Sequence, residues 1–345
     1  MDKVGLVGFS GSGKSTVFHW LTGVAPDPAR VQQGQTGMAK LPDPRLDRLS
    51  ALFHPKKTTP AEIAFLDTPG LDTAERRDNP RRLGILREAN GLVVVLNGYS
   101  GGDLADELRR FRAETAFADL EIVTNRLSKV EANLKKPRPA KEREADLNEK
   151  AVLERLAAAL ETESTTAMEL KPEEEKAVRS FQLLTLKPEI VLVNQGDALV
   201  GQPLPASLMA LAPTALAAPA RLELELAELP EADRAAFAAD LGLTGSARDA
   251  TLRAIFAAMG RIVFYTVGED ECRAWPLRRG ADAVEGAGSL HTDFAKRFVR
   301  AEVVGYDDFL RAGSMKEAKA LGVYRLEGKT YIVQDGDIMH ILASS

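Results

Sequence analysis

Cysteine is almost missing from this sequence of 345 residues, in which Cys272 is the single example. A disulfide within the chain is therefore excluded, and we expect a reducing compartment, the cytoplasm. No apolar run approaches the roughly 18 residues of a membrane-spanning helix, and the first residues lack the pattern of a signal peptide, so we expect no membrane partner. Positive charge is not in excess, because the formal net charge is −5. That balance argues against a chain dedicated to coating nucleic acid, and we expect no DNA specificity.

The composition that remains is that of a globular protein, with 45% hydrophobic and 28% charged residues. Its length predicts two or three domains. A helix is predicted from Asp103, its N-cap, to Glu114. Short apolar runs without polar alternation are separated by segments of helical pattern, and they lie at residues 4–7, 63–66, 92–96 and 189–194. Such runs are typical of a parallel sheet that is covered on both faces, so the predicted fold class is α/β.

The stretch GFSGSGKS follows the first apolar run and precedes a helical pattern at residues 15–21. It matches G-x-x-x-x-G-K-[ST], from Gly8 through Gly13 and Lys14 to Ser15, in the context that this pattern requires. Glycines allow several backbone N–H groups to point at one anion, and the next helix adds its positive N-terminal end. Lys14 can reach the β- and γ-phosphates of a nucleoside triphosphate, and the Ser15 hydroxyl is an Mg²⁺ ligand in such loops. ABC transporters and kinases share GSGKST, but the sequence has no LSGGQ-like segment.

Two further polar segments close apolar runs. FLDTPG places Asp67 where it can hold Mg²⁺ through water, and Gly70 where its N–H can turn toward the γ-phosphate. VLVNQGD is close to the guanine-recognition pattern N-K-x-D of GTPases, with Gln195 in place of the lysine. Asn194 would tie this loop to the phosphate loop, and Asp197 could accept two guanine N–H groups. An ordinary strand-to-turn segment is the alternative for NQGD.

A helical insert is predicted between the last two of these strands. Leucine and valine recur in a heptad pattern at residues 120–134, and leucines recur on one helical face at residues 153–160. The proline-containing segment KKPRPAKERE separates the two stretches, which predicts an antiparallel helical hairpin. Basic residues dominate its tip: Lys135, Lys136, Arg138, Lys141 and Arg143. This tip is either a solvated turn or a contact for RNA phosphates.

At this point the chain resembles the YchF/Obg-like ATPase family of translation-factor GTPases. The similarity rests on LPDPRLDRL (41–49), on LLTLKPEIVLVN (183–194) and on the long segment CRAWPLRRGADAVEGAGSLHTDFAKRFVRAEVVGYDDF (272–309), with EGKTYIVQDGDIMH after it. The resemblance implies a P-loop NTPase domain over 1–116 and 185–260, a coiled-coil insert over 117–184 and a β-grasp-like TGS domain over 261–345. It also implies ATP in preference to GTP, Mg²⁺ as cofactor and association with ribosomal RNA. By position, it implies phosphate contacts from Gly11, Ser12, Gly13, Lys14, Ser15 and Thr16, and base contacts from Asn194, Gln195 and Asp197.

The chain departs from the family pattern around the phosphates. Gly11-Ser12-Gly13 stands where the family has Asn-Val-Gly, so the asparagine proposed as a potassium ligand in related GTPases is absent. The segment before LPDPRLDRL is rearranged, which leaves Thr36 as a candidate Mg²⁺ ligand beside Ser15 and Asp67. Leu71 follows Gly70 where Ras-like enzymes place a glutamine that orients water.

These features predict an Mg²⁺-dependent purine nucleoside triphosphatase with slow intrinsic hydrolysis, in which Lys14, Asp67 and Gly70 act on the γ-phosphate. Its nucleotide state would be coupled to ribosome binding in translation and stress regulation. Asp197 keeps a GTP-specific enzyme open as an alternative, while Gln195 favours ATP. The altered switch segments leave a second alternative, a ribosome-associated module that binds nucleotide with negligible turnover. We expect Cys272 to be a packed residue without a redox role.

Overall fold

The computed structural model consists of two compact units, and the chain passes from one to the other more than once. It describes residues 3–74, 76–137, 139–162, 170–230, 233–234, 236–237 and 246–344. The first unit consists of Met1–Gly37 with Ala64–Arg248, and the second of Met38–Ile63 with Asp249–Ser345.

The strands and helices of both units have the following bounds. The strands are β1 (Lys3–Val7), β2 (Gln35–Lys40), β3 (Lys57–Thr59), β4 (Glu62–Asp67), β5 (Gly91–Gly98), β6 (Glu189–Gln195), β7 (Leu216–Ala218), β8 (Arg261–Thr266), β9 (Glu271–Arg278), β10 (Phe298–Gly305), β11 (Arg325–Glu327) and β12 (Asp337–Ala343). Helices of the described residues are α1 (Lys14–Thr22), α2 (Pro28–Val31), α3 (Pro44–Phe53), α4 (Asn79–Leu86), α5 (Leu104–Leu134), α6 (Ala140–Glu161), α7 (Pro172–Val178), α8 (Ala206–Leu211), α9 (Ala220–Ala227), α10 (Ala247–Ala258), α11 (Ala283–Leu290), α12 (Thr292–Lys296), α13 (Tyr306–Ala312) and α14 (Met315–Ala320).

The central sheet of the first unit has the strand order β2-β4-β1-β5-β6-β7. The pairs β1–β4, β1–β5, β5–β6 and β6–β7 are all parallel. Nearly every residue of β1, β4, β5 and β6 is buried, which explains the apolar runs without alternation. The predicted α/β class and its four buried strands are confirmed. In a parallel sheet the carboxyl ends of the strands lie at one edge, so the segments after β1, β4, β5 and β6 come together there.

The predicted helical insert is a hairpin of two long helices. Asp103 caps α5, because its carboxylate accepts hydrogen bonds from the Ala105 and Asp106 backbone N–H groups at 2.9 and 3.2 Å. The helix does not end at Glu114, since its 31 residues, Leu104–Leu134, extend through the heptad segment. The apolar seam is confirmed: residues of α5 and α6 form one buried cluster that includes Val123, Val130, Leu153, Leu156 and Leu160. At the tip, Lys135, Lys136, Lys141 and Arg143 are exposed, and Arg138 lies outside the described residues.

A second sheet forms the core of the other unit, with the strand order β11-β10-β12-β8-β9-β3. It is mixed: β8–β9, β10–β12 and β10–β11 are antiparallel, whereas β12–β8 and β3–β9 are parallel. Cys272 on β9 is fully buried, as predicted. Among the described residues, no helix combines the length and apolarity needed to cross a bilayer.

Residues 38–63 belong to this second unit, although the family resemblance implies that they lie in the P-loop NTPase domain. Within the unit, the Arg45 guanidinium bridges the carboxylates of Asp43 and Asp335 at 3.1 and 2.8 Å. The Phe53 ring stacks on Phe309 with 5.7 Å between centroids. The contacts of Arg45 with Asp335 and of Phe53 with Phe309 join residues that are more than 200 positions apart, which local patterns cannot reveal. The division of the chain into three domains stays a prediction.

Candidate nucleotide-binding site

The loop between β1 and α1 has the backbone that the glycine pattern predicts. Gly11 and Gly13 have φ angles of 82° and 83°, a region that residues with a side chain rarely adopt. At Gly13 an added Cβ would also approach the Asn194 amide nitrogen within 2.1 Å. The loop leads directly into α1, whose N-cap is Gly13. Its backbone N–H groups and the helix N-terminus together offer donors of the kind that bind anions.

The ammonium group of Lys14 is folded back over this loop. Its Nζ donates a hydrogen bond to the Phe9 carbonyl oxygen at 2.8 Å, and the residue is 6% exposed. Burial lowers the pKa of Lys14 to about 8, against the opposing attraction of the Asp67 and Glu107 carboxylates, and the nearby Arg82 lowers that pKa further. A cation that is held this far from water gains strongly when an anion binds next to it.

Asp67, the last residue of β4, is fully buried. Neither of its carboxylate oxygens accepts a hydrogen bond of standard geometry from the described residues. Burial raises its pKa, and the neighbouring Ser15 hydroxyl, Lys14 ammonium and Thr68 N–H oppose that rise. A buried carboxylate whose oxygens have no hydrogen bond of standard geometry from the described residues, beside a serine hydroxyl, is the hard oxygen donor set that Mg²⁺ prefers, so these residues fit the metal. Thr36 is an exposed residue of β2 and does not line the adjacent cavity.

The turn after β4 is attached to the phosphate loop through the backbone. Leu71 N–H donates to the Gly8 oxygen at 3.0 Å, and Ser10 N–H donates to the Leu71 oxygen at 2.9 Å. Gly70 lines the cavity between these two contacts, whereas the Leu71 side chain is 1% exposed and belongs to the apolar core that includes Phe9. The side chain at this position therefore faces the core, and it cannot orient water at the phosphate.

A cavity of about 540 Å³ lies in front of the phosphate loop. It is lined by predicted site residues and by others that sequence reasoning did not identify, and its lining includes Gly11, Gly13, Lys14, Ser15, Thr16, Gly70, Arg82 and Tyr99. The Tyr99 hydroxyl and the Asn97 amide both donate to the Gly11 oxygen. Arg82 on α4 donates from Nη1 to the Gly70 oxygen. No local pattern marks Arg82 or Tyr99, because only the fold brings α4 and the end of β5 to this cavity.

The predicted base-recognition loop begins beside the phosphate loop. The Asn194 amide donates to the Ser12 backbone oxygen at 3.3 Å, which is the connection that the N-K-x-D pattern predicts. Gln195 ends β6 with 8% of its surface exposed, so it is not a flexible stem that lies open to solvent. Asp197 is exposed. Its carboxylate raises the pKa of Arg221, although the hydrogen bond from Arg221 to Glu225 is the larger cause.

Known proteins resemble this chain over nearly its full length. The family described as 50S ribosome-binding GTPases matches residues 3–129, and the YchF-GTPase C-terminal family, described as of unknown function, matches residues 262–344. The Ribosome-binding ATPase YchF of Bacillus subtilis is 31% identical, with 97% of each chain covered. The protein of the same name from Haemophilus influenzae is 32% identical, with 98% of each chain covered.

A plant relative and a solved structure extend this similarity. The Obg-like ATPase 1 of Oryza sativa subsp. japonica is 30% identical over 98% of this chain and 91% of its own. The structure of the Schizosaccharomyces pombe YchF GTPase superposes with a TM-score of 0.83 at 25% identity, covering 99% of this chain and 97% of that one. Sequence similarity and structural similarity therefore both extend over nearly the full length of this chain.

Proposed function

The chain belongs to the YchF family of Obg-like ATPases, and from that premise we propose that it is an Mg²⁺-dependent purine nucleoside triphosphatase whose nucleotide state controls ribosome binding in the cytoplasm. ATP is the favoured substrate. The observation that carries the proposal is the cavity in front of the phosphate loop, where Lys14 and the amide-lined backbone face a space of about 540 Å³. An apolar ligand would add no partner for the buried charge of Lys14, whereas a triphosphate adds negative charge beside it.

Binding begins with the anionic end of the nucleotide. In the structure, Lys14 Nζ has the Phe9 carbonyl oxygen as its partner. A phosphate oxygen is a better partner for this ammonium, since charge-assisted hydrogen bonds are stronger than those to neutral acceptors. Backbone N–H groups at Gly11 to Thr16 add further donors without any conformational search, because the glycine geometry already holds the loop open.

Ser15 and Asp67 would hold the metal. When bound, Mg²⁺ supplies positive charge that orients the phosphates and offsets their mutual repulsion. Lys14 remains protonated throughout and stabilises the charge on the β- and γ-phosphate oxygens. The Gly70 N–H would report the presence of the γ-phosphate to the turn that begins at Asp67.

Turnover should be slow without a partner. The Leu71 side chain lies in the apolar core, so it cannot position the attacking water. Positioning contributes several orders of magnitude to phosphoryl transfer, and a site without it gains rate when another molecule orders the switch segments. The same feature favours the alternative of a nucleotide-dependent ribosome-binding module with negligible turnover.

Base preference would be decided at the Asn194–Asp197 loop. Gln195 is largely buried in β6 and replaces the lysine whose stem covers guanine in GTPases, which supports ATP. The Bacillus subtilis and rice relatives are named ATPases as well, whereas the solved Schizosaccharomyces pombe structure is named a GTPase. Asp197 is the residue that supports GTP, because its carboxylate could accept the two guanine N–H groups.

The relatives are also named ribosome-binding. In this chain, the exposed lysines at the hairpin tip are candidates for contact with rRNA phosphates, and their sign suits that role.

The test is paired calorimetric titrations with ATP and GTP, followed by phosphate-release kinetics with and without ribosomes. Lys14→Ala should weaken nucleotide binding at least tenfold and abolish hydrolysis, while Lys129→Ala, an exposed lysine of α5, should leave both unchanged. Tighter binding of GTP would replace the ATPase by a GTPase. Tight binding with no ribosome-stimulated turnover would replace the enzyme by the binding module. Equal hydrolysis by the parent protein and Lys14→Ala would refute the site.

A further inference from the structure

Arg82 is a half-buried cation that has no role in the function proposed above. It lies on α4, and its Nη1 donates to the carbonyl oxygen of Gly70, the glycine of the turn after β4. Two neighbouring arginines are paired with carboxylates: Arg76 with Glu114 and Arg87 with Asp119. Within the part of the chain that the structure describes, Arg82 makes no ion pair of this kind. Its only hydrogen bond of standard geometry there goes to a neutral carbonyl.

The guanidinium group faces the same cavity as Lys14. Both residues line it, and the charge of Arg82 lowers the pKa of Lys14. Two cations on one half-buried cavity repel each other, although the fully buried Asp67 carboxylate attracts the Lys14 ammonium. An anion in the cavity removes this repulsion. The arrangement therefore suits a ligand whose negative charge reaches from Lys14 to the Gly70 turn.

The geometry of arginine fits this place. A guanidinium group carries five N–H donors in one plane, and here one of them is used by the Gly70 oxygen. The other donors have no hydrogen-bond partner of standard geometry among the described residues, and a guanidinium group binds phosphate oxygens in a bidentate manner. Through the Gly70 carbonyl, the same side chain is attached to the turn that would sense the γ-phosphate.

We propose that Arg82 is a catalytic residue of this chain: it contacts the γ-phosphate and stabilises the charge that develops there during hydrolysis. This inference rests on the proposed nucleotidase function. In the step, a water oxygen bonds to the γ-phosphorus as the bond from that phosphorus to the β–γ bridging oxygen breaks, and the electron pair of that bond goes to the nucleoside diphosphate. Both protons of the water end on the released inorganic phosphate, which leaves as H2PO4⁻. Arg82 keeps its protons throughout, and its charge offers stabilisation that the buried Leu71 cannot provide.

Three substitutions separate the positive charge of Arg82 from its hydrogen bond to the Gly70 oxygen. Arg82→Ala removes both the charge and the hydrogen bond. Arg82→Lys keeps the charge without the planar guanidinium, and Arg82→Gln keeps a donor for the Gly70 oxygen without the charge. The matched control is Arg81→Ala, an exposed arginine on the same helix. Each variant is measured for ATP and GTP affinity by calorimetry and for the single-turnover cleavage rate at saturating nucleotide with Mg²⁺. Tryptophan fluorescence in urea confirms that each one folds.

Arg82→Ala and Arg82→Gln should both slow cleavage by about 10²–10³-fold, the loss seen when one charge-stabilising donor is removed, with nucleotide Kd changed less than tenfold. Arg82→Lys should lose less, and Arg81→Ala should match the parent. Guanidinium ions at millimolar concentration should partly restore cleavage by Arg82→Ala, whereas urea, a neutral molecule of similar shape, should not.

Two results would overturn the assignment. If Arg82→Gln cleaves as fast as the parent while Arg82→Ala does not, Arg82 only holds the Gly70 turn in place. If all three variants cleave at the parent rate, it has no part in the reaction, although the nucleotidase itself stands. A parent protein that binds nucleotide but does not cleave it would instead refute the proposed function, together with the inference that rests on it.

Discussion

The contact between the Gly70 turn and the phosphate loop allows a quantitative test. An added Cβ at Gly70 would come within 2.7 Å of the Ser10 Cα and N atoms. These are backbone atoms of a segment that is held to the turn by the hydrogen bonds Leu71 N to Gly8 O and Ser10 N to Leu71 O, at 3.0 and 2.9 Å. Gly70→Ala must therefore push the turn and the loop apart.

The expected loss of stability is that of an overpacked contact, which costs about 1–3 kcal/mol. This figure includes the loosening of the backbone hydrogen bonds, at about 1 kcal/mol each. We expect the free energy of unfolding to fall by about 2 kcal/mol. With a urea dependence of about 2 kcal/mol per molar, the midpoint should fall by about 1 M.

The same substitution at Gly84 is the matched control. Gly84 is exposed on α4, and an added Cβ there meets nothing within 4 Å. Alanine favours a helix more than glycine does, so Gly84→Ala should raise the free energy of unfolding by about 0.4–1 kcal/mol. Two identical chemical changes on nearby segments should therefore shift stability in opposite directions.

Urea unfolding followed by the fluorescence of one tryptophan makes the assay specific for the first unit. Trp20 lies in that unit and is 4% exposed, while Trp275 lies in the second unit. All variants are made in a Trp275→Phe background, so that the signal reports the unit that contains the turn. A midpoint for Gly70→Ala equal to that of Gly84→Ala would refute the close contact.

Two further predictions concern charge. Because the pKa of Lys14 is lowered to about 8, Lys14 is mostly protonated below that pH and neutral above it. Nucleotide phosphates bind the protonated form, so affinity should fall above about pH 8 by up to tenfold per pH unit, with proton uptake detected by calorimetry in two buffers of different ionisation enthalpy. A constant affinity from about pH 7.5 to 9.5 would contradict the burial of this ammonium. At the hairpin tip, replacing Lys135 and Lys136 by serine should lower the slope of log affinity for ribosomes against log salt by about two, while Lys176→Ser should not change it. An unchanged slope would leave the tip as a solvated turn.

Much of the fold could be predicted because its signals are local. Buried parallel strands need uninterrupted apolar runs, and the runs that end at Val7, Leu66 and Leu96 all became strands of the central sheet. The heptad seam likewise predicted the packing of α5 against α6. The predicted end of α5 at Glu114 was wrong. No helix-breaking residue stands between Glu114 and the start of the seam, so the two helical segments form one helix.

The candidate site was predictable in part for the same reason. The conformation of the phosphate loop depends on its own glycines, and the sequence alone determined it together with the positions of Lys14 at the start of α1 and Asp67 at the end of β4. Thr36 had no such local signal, and it lies exposed on β2. Its assignment as a metal ligand stays a prediction.

What the sequence determined by itself is the glycine-rich loop between β1 and α1, the order of the strands along the chain and the helical hairpin, since each is encoded in contiguous residues. Only the tertiary structure decided that the Leu71 side chain enters the core, that Arg82 faces the cavity and that residues 38–63 join the second unit. The physical reason is that burial and pairing depend on neighbours that are distant in sequence. A leucine or an arginine has the same chemistry wherever it stands, and the fold determines which atoms it meets.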